Sequence, residues 1–423
     1  MASTSTQSHE SFVQFGKKHV TAGLGRVVDA VLTKGEGSYV TLGDGRKMLD
    51  FTCGIGVTNL GKPLPPKDHI AFNQPYLELI ERLLPMMPHP SLDSFFFWNS
   101  GSEAVEAGIK MARAFTGRQN IINMQGAYHG RTMGAMAVTK SKTIYSAGFH
   151  PLMPGAYTLP FPYWHQLGVD PSTPPSELSE MCLNQLNLLL AQASAPKDTA
   201  AIIIEPVLGE GGMGIMLIID EVQCGFGRTG KNYYTEYSGV RPDILLSAKG
   251  LANGFPLSAV VSRKELTDKL PAGSMGGTYA GNAVSCAAAV ASADAMKEEK
   301  ILDNVNARST ELFAALNALR TDADAAVARA VLDVRGKGLM VAVEFASPTG
   351  TGPYDRFADA GVPAKLASRV AARCVEKGML ILTTSVYEVV RFIPPLNVSK
   401  EDLAEGVRIF EEAVREVVKE GKA

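Results

Sequence analysis

Long apolar runs are missing from this sequence. None reaches the length of a helical membrane span, and the longest carry glycine or charge. Cysteine is scarce too: Cys53, Cys182, Cys224, Cys286 and Cys374 are far apart, odd in number and not spaced as metal ligands. Reduced thiols in an intracellular protein are the plain expectation, with no metal centre. Neither sign of charge is in excess: 41 Lys and Arg stand against 43 Asp and Glu, for a formal net charge of −2. Nothing there points to nucleic acid or an anionic membrane as a partner. The first ten residues, MASTSTQSHE, hold neither a hydrophobic segment nor an arginine. A secretory leader is therefore not expected; the cytoplasm is the expected compartment, with the mitochondrial matrix as the alternative. Internal repeats and low-complexity tracts are absent. So is a glycine-rich dinucleotide fingerprint after the first strand with an acid about twenty residues further on, which disfavours a nucleotide-binding oxidoreductase.

What is present is a chain of 423 residues, 46% hydrophobic and 20% charged, longer than one core usually serves. Its 41 glycines suit the tight turns of an α/β protein. The organising stretch is residues 243–256, DILLSAKGLANGFP. The apolar Ile244, Leu245 and Leu246 give way to small residues, then Lys249, then a glycine-punctuated turn. This reads as a buried strand whose mouth lets backbone approach a ligand. A lysine there either snorkels to solvent or is held for chemistry. Upstream, GIMLIIDEVQ is a second apolar run ending in an acid, Asp220. A strand-end lysine with a strand-end acid is the pair a pyridoxal phosphate enzyme needs, an amine to hold the cofactor and a carboxylate for its pyridinium nitrogen.

Taken in order, GEGSYVTLGDGRKMLDF alternates and carries a hairpin signal at Asp44 and Gly45. The glycine-rich CGIGVTNLG, 53–61, is a loop or an irregular connection. Residues 75–88 predict one amphipathic helix stopped by prolines. SFFFWNSG predicts a short buried strand and turn, followed by a helix that Ser100 or Ser102 can cap, with Glu103 and Glu106 in its first turn. Strand, Gly-Ser turn and helix N-terminus together make an anion site. Residues 120–124 predict a strand running into a loop with Tyr128, His129 and Arg131 beside glycines. Residues 150–175 read as proline-rich surface chain and 176–194 as a helix. The wholly apolar run at 199–205 predicts a central parallel strand ending at Glu205. The next strand, 215–219, follows almost at once. Parallel neighbours need a crossover of a dozen or more residues, so either these two are antiparallel or residues are missing around Gly212 to Gly214; everything else in the pattern favours parallel. Beyond the long small-residue helix after 276–282, residues 300–320 predict a further helix. The remainder predicts strands at 331–335, 338–345, 379–383 and 389–393, with helices at 364–377 and 399–418.

NSGSEAVE, GAYHGRT, AAIIIEPVLGEGG, LIIDEVQCGFGRTG, SAKGLANGFPL, GGTYAGN and DVRGKGLM occur in that order. With them the chain resembles the class III, or ω-amino acid, aminotransferases, most closely those of the 4-aminobutyrate type, from about Gly35 to the C-terminus. The resemblance implies the pyridoxal phosphate fold type I, an α/β fold with a large domain on a mostly parallel seven-stranded sheet and a smaller α+β C-terminal domain. On that reading residues 1–60 contribute to the small domain, 61–300 form the large one and 301–423 the small one. It also implies a homodimer, with pyridoxal 5′-phosphate at each site.

Carried over motif by motif, Lys249 is the cofactor-bound lysine and proton carrier, and Asp220 pairs with the pyridine nitrogen. Gln223 meets the phenolic oxygen, Val222 and Tyr128 cover the two ring faces, and Gly101 and Ser102 hold the phosphate. Thr278 reaches the phosphate of the opposite subunit, while His129 and Glu205 shape the surroundings of the ring. Arg391 clamps the α-carboxylate of glutamate or 2-oxoglutarate, Glu210 gates that arginine, and Arg131 takes the distal carboxylate of 4-aminobutyrate beside Ile55. The implied reaction is amino transfer from an ω-amino acid, with 4-aminobutyrate leading, to 2-oxoglutarate. An ω-amine:pyruvate transaminase, an ornithine or acetylornithine aminotransferase and a non-catalytic scaffold are the alternatives. The chain departs from the family pattern in two places. It is about twenty residues short after Gly61, and a loop with crossover helix of similar length is absent between Gly212 and Gly214, where strand geometry already signalled a gap.

Overall fold

The hairpin signal at Asp44 and Gly45 is realised in the computed structural model as β2 (Tyr39–Leu42) and β3 (Lys47–Asp50), antiparallel and joined by a turn with Gly45 at φ +89°. β1 (Leu32–Glu36) pairs antiparallel with β2. The structure describes residues 10, 13, 28, 30, 32–52, 74–206, 214–271, 274–275, 280–350 and 357–421. They fall into two compact units, one built from residues up to Pro63 together with those from Asn304 onward, the other from Leu64 to Asp303. Among the described residues no helix is long and apolar enough to cross a membrane.

The unit from Leu64 to Asp303 is organised on one sheet of seven strands. They are β4 (Ser94–Trp98), β5 (Asn120–Met124), β6 (Ala156–Leu159), β7 (Thr199–Ile204), β8 (Met216–Asp220), β9 (Ile244–Ser247) and β10 (Ser258–Ser262). Their order is β4-β10-β9-β8-β7-β5-β6, and β10 alone runs against its neighbours. This is the mostly parallel sheet of the fold class expected from the sequence. Helix Gly101–Thr116 lays Ala104, Val105, Ile109 and Ala112 onto Ile121, Ile203, Ile218, Ile244 and Val260. Gly108 eases this approach, since a Cβ there would stand 3.3 Å from Leu246 Cδ2, slightly too close, and in ordinary contact 3.6 Å from Ile218 Cγ2.

Several expectations change, but of the two alternatives for β7 and β8 the favoured parallel one holds, with Ala201 opposite Met216 and Ile204 opposite Ile219. Residues 205–215 join them, and of these 207–213 lie outside the described residues. The helix expected over 75–88 stops as Gln74–Leu83 and tightens into a 3-10 turn at Leu84–Met86. Pro85 has no N–H to donate, and its ring would collide with the carbonyl of Glu81 in an α-turn. The proline-rich chain at 150–175 contains β6, an edge strand of four residues, too short to show a period. The loop after β5 contains helix Met133–Val138, whose first N–H groups are capped by Glu106 Oε1, 2.8 Å from Gly134 N and 3.1 Å from Ala135 N. Glu106, expected in the first turn of its own helix, lies beyond it, where Glu103 is the acidic residue; it serves this neighbouring helix instead.

The other unit carries the β1–β3 meander and a second sheet. β11 (Val331–Lys337), β12 (Met340–Phe345), β14 (Leu382–Thr384) and β15 (Val389–Phe392) make an antiparallel sheet in the order β11-β12-β15-β14. The single strand expected at 379–383 is divided. β13 (Met379–Leu380) pairs parallel with β3, and the chain changes sheets at Ile381 before β14. Phe392 joins this unit's core, its ring 6.1 Å from Phe51 and 4.9 Å from Phe410.

Candidate active site

Five parallel strands of the large sheet end on one edge, and each leads into residues expected at the site. Ligands of open α/β sheets bind outside such carboxyl ends. Asp220 is the last residue of β8 and is 4% exposed. Lys249 follows β9 and opens the 3-10 turn Lys249–Ala252 at φ +43°, a left-handed backbone that a residue with a Cβ adopts at a cost. Glu205 follows β7. The loop after β5 supplies Tyr128, His129 and Arg131. β4 runs parallel to β9 and leads into Gly101 and Ser102 at a helix N-terminus. Ser100 is the N-cap there, and its hydroxyl accepts from Glu103 N at 3.3 Å.

Hydrogen bonds tie these ends together. His129 Nδ1 lies 2.7 Å from Asp220 Oδ2, and Val222 N donates to Asp220 Oδ1 at 3.0 Å. A carboxylate only accepts, so His129 carries its Nδ1 hydrogen toward Asp220. Burial would lower the pKa of His129; the hydrogen bond and charge of Asp220, with Glu205 behind it, overcome that and raise it. Burial raises the pKa of Glu205, against the opposing charges of His129 and Lys249. The Tyr128–Arg131 loop is pinned at three points. Tyr128 N donates to Glu205 Oε1 at 2.7 Å, His129 N to Thr139 Oγ1 at 2.9 Å, and Arg131 N to Ser102 Oγ at 3.2 Å.

The residues fit pyridoxal phosphate on two observations. His129 Nε2 is buried and has no hydrogen-bond partner among the described residues, so a polar ligand atom has a waiting partner at the Asp220 end. At the other end two glycines let the chain close tightly around the helix N-terminus and leave its first N–H groups in place. A Cβ on Gly101 would stand 2.8 Å from Val222 Cγ1, and one on Gly130, at φ +126°, 2.2 Å from Ser102 Oγ. The first-turn N–H groups of Gly101 and Ser102, ahead of the intrahelical ladder, suit a phosphate ester.

Gly101, Ser102, Tyr128, His129, Arg131, Glu205, Asp220, Val222, Gln223 and Lys249 all belong to this unit's strand ends and the loops that follow them. Arg391 belongs to the other unit, on β15 opposite Ala342 and Leu382. Ile55, Glu210 and Thr278 lie outside the described residues. Sequence reasoning passed over two residues of the site region. Tyr145 meets Arg131 from a turn fourteen positions on, with nothing local to mark it. Glu221 is buried, and it accepts from Thr235 Oγ1 at 2.6 Å, Thr235 N at 2.9 Å and Tyr234 N at 2.6 Å. Its signal was a second acid beside Asp220 at the end of an apolar strand.

Burial pushes the Glu221 carboxyl up to about 7 despite those three donors. An acid raised in the folded state stabilises the fold below its unfolded pKa, and that contribution is lost as pH rises through about 7. Between pH 5 and 7.5 the Glu221→Gln variant should therefore lose less stability than the parent, by on the order of 3 kcal/mol. Denaturant unfolding at both pH values checks this. Identical pH slopes for the two proteins would rule it out.

The sequence profile of the family described as Aminotransferase class-III matches residues 22–216 and 213–414, two segments that meet at the abbreviated β7–β8 connection. The chain is 34% identical to 5-aminovalerate aminotransferase DavT of Pseudomonas aeruginosa, over 97% of this chain and 100% of that one. That alignment of 451 positions is longer than the 423 residues here, so the relative carries segments without counterpart. Identity to 4-aminobutyrate aminotransferase GabT of Escherichia coli is 33%, over 97% and 99% of the two chains. Among solved structures, a thermostable (S)-enantioselective ω-transaminase from Thermomicrobium roseum superposes with a TM-score of 0.83. It is 28% identical, and 98% of this chain and 100% of that one are covered.

Proposed function

The chain belongs to the class-III aminotransferases, a pyridoxal phosphate-dependent family, and from that premise we propose that it moves the amino group of an ω-amino acid, 4-aminobutyrate first, to 2-oxoglutarate. The observation that carries the reading is Lys249 at the mouth of β9 beside the buried Asp220–His129 pair at the mouth of β8. Pyridoxal phosphate, when bound, supplies the electron sink for bond breaking at the amine-bearing carbon and carries the amino group between half-reactions.

The chain's own residues do the rest. Lys249 would hold the cofactor through Nζ and then carry the proton there, being nucleophilic and basic when neutral. Asp220 would accept from the ring nitrogen, and His129, through Nδ1, keeps that carboxylate in place. Tyr128 and Val222 would enclose the ring, Gln223 would meet its phenolic oxygen, and Gly101 and Ser102 would bind its phosphate. Glu205 positions Tyr128 through the 2.7 Å bond from its N–H. Arg131 would take the distal carboxylate beside Ile55. Arg391 would clamp the α-carboxylate of 2-oxoglutarate and Glu210 would neutralise that arginine for donors lacking one. In a homodimer, Thr278 of each subunit would complete the phosphate site of the other.

Similarity to the T. roseum ω-transaminase favours a second reading, amine:pyruvate transfer of broad scope. Glutamate formation from 2-oxoglutarate, with 4-aminobutyrate or 5-aminovalerate as donor, is the expected result for protein reconstituted with cofactor. Alanine formed from pyruvate and 1-phenylethylamine, with no turnover of the ω-amino acids, would replace the first reading by the second.

A further inference from the structure

Arg131 is exposed, yet its side chain is not left to wander. Its guanidinium carbon lies 4.6 Å from the centroid of the Tyr145 ring and 5.8 Å from that of Tyr128. The two rings meet edge to face, centroids 5.2 Å apart at 75°. Tyr145 ends the 3-10 turn Thr143–Tyr145, which is closed by Ser146 N and Ala147 N, both donating to Thr143 O at 3.0 and 2.9 Å. The backbone of Arg131 is fixed separately, through Ser102. Two anchors thus set the residue: one places its Cα, the other its charge.

We propose that Tyr145 is the positioning residue that gives this site its preference for donors ending in a carboxylate. The proposal rests on the reading of Arg131 as the ligand of that carboxylate. A cation over a ring face is held by the charge distribution of the ring, which takes up no oxygen or nitrogen acceptor position on its five N–H donors. A ring beneath the cation therefore holds it without consuming the donors that a carboxylate takes two at a time. An acidic partner would compete for those donors, and Arg131 forms no ion pair with any described residue. A long side chain otherwise free to sample many rotamers arrives at the substrate already placed, and the ordering cost of binding falls.

The test compares 4-aminobutyrate with butylamine, the same donor without its carboxylate, in cofactor-loaded parent, Tyr145→Ala, Tyr145→Leu, Tyr145→Phe and Arg131→Ala proteins. Removing the ring should raise KM for 4-aminobutyrate roughly 3- to 30-fold while kcat changes much less. The effect on butylamine should be negligible, and Tyr145→Phe, which keeps a ring face, should stay close to the parent. Visible absorbance of bound cofactor establishes that each variant is assembled, and the leucine variant replaces the alanine one if the latter does not fold. An equal loss with both donors, no rise in KM, or a phenylalanine variant as impaired as alanine overturns the proposal. If Arg131→Ala itself leaves KM for 4-aminobutyrate unchanged, it is the carboxylate reading of Arg131 that fails.

Discussion

Replacing Lys249 by alanine should lower kcat by about 10^4-fold or more, the combined loss of a nucleophile and of a positioned proton carrier. The variant should nevertheless fold like the parent. Lysine and alanine both bear a Cβ, so the left-handed backbone at φ +43° costs the same in either. The ammonium is also removed from the neighbourhood of Glu205, whose carboxyl it helps to keep charged. Lys249→Gly makes the complementary case: it should be as inactive, and more stable by about 1 kcal/mol, because glycine adopts that backbone freely. Borohydride treatment followed by mass spectrometry should fix cofactor to the parent at Lys249 and to neither variant. A small primary amine added to Lys249→Ala should restore part of the proton transfer. Activity within tenfold of the parent, without such rescue, would remove Lys249 from the centre of the mechanism.

The strand ends that make the site were readable because a continuous apolar run is hard to mistake and its final polar residue marks its mouth. LIIDEVQ and ILLSAKG announce Asp220 and Lys249 in that way, and both strands lie where expected in the parallel sheet. What could not be read was whatever depends on partners distant in sequence. β6 has four residues and becomes a strand through pairing with β5. Helix Met133–Val138 contains a glycine and needs the carboxylate of Glu106, more than twenty residues earlier, to cap it. The division of the 379–383 stretch between two sheets follows from what each half meets, not from its own pattern. The apolar run at 199–205 already favoured parallel pairing of β7 with β8 despite the short connection between them, and that register buries Ile203 opposite Ile218.

Asp220→Asn should lower kcat by about 10^2- to 10^3-fold, the usual scale for removing one preorganised electrostatic partner. The change is nearly isosteric, so its effect is one of hydrogen-bond arithmetic and charge. In the parent both carboxylate oxygens accept, one from Val222 N at 3.0 Å and one from His129 Nδ1 at 2.7 Å. An asparagine has a single acceptor oxygen. Its amide must therefore face either a backbone N–H or an imidazole forced into its other tautomer, and the ring nitrogen of the cofactor would lose its anionic partner. The pKa of His129 reports how strongly that anion is felt. With Asp220 present it is raised, and the resulting stability is present below the unfolded value near 6.5 and lost as pH rises through the folded one. Without the anion, burial outweighs the remaining charge of Glu205 and drives the pKa below 6.5, so protonation in acid becomes destabilising. The variant should accordingly lose stability from pH 7 to pH 5 relative to the parent, and the imidazole resonance of His129 should titrate at lower pH in NMR spectra. A variant whose kcat stays within threefold of the parent, with His129 titrating unchanged, would mean that the Asp220–His129 pair is structural and that the charge facing the cofactor comes from elsewhere.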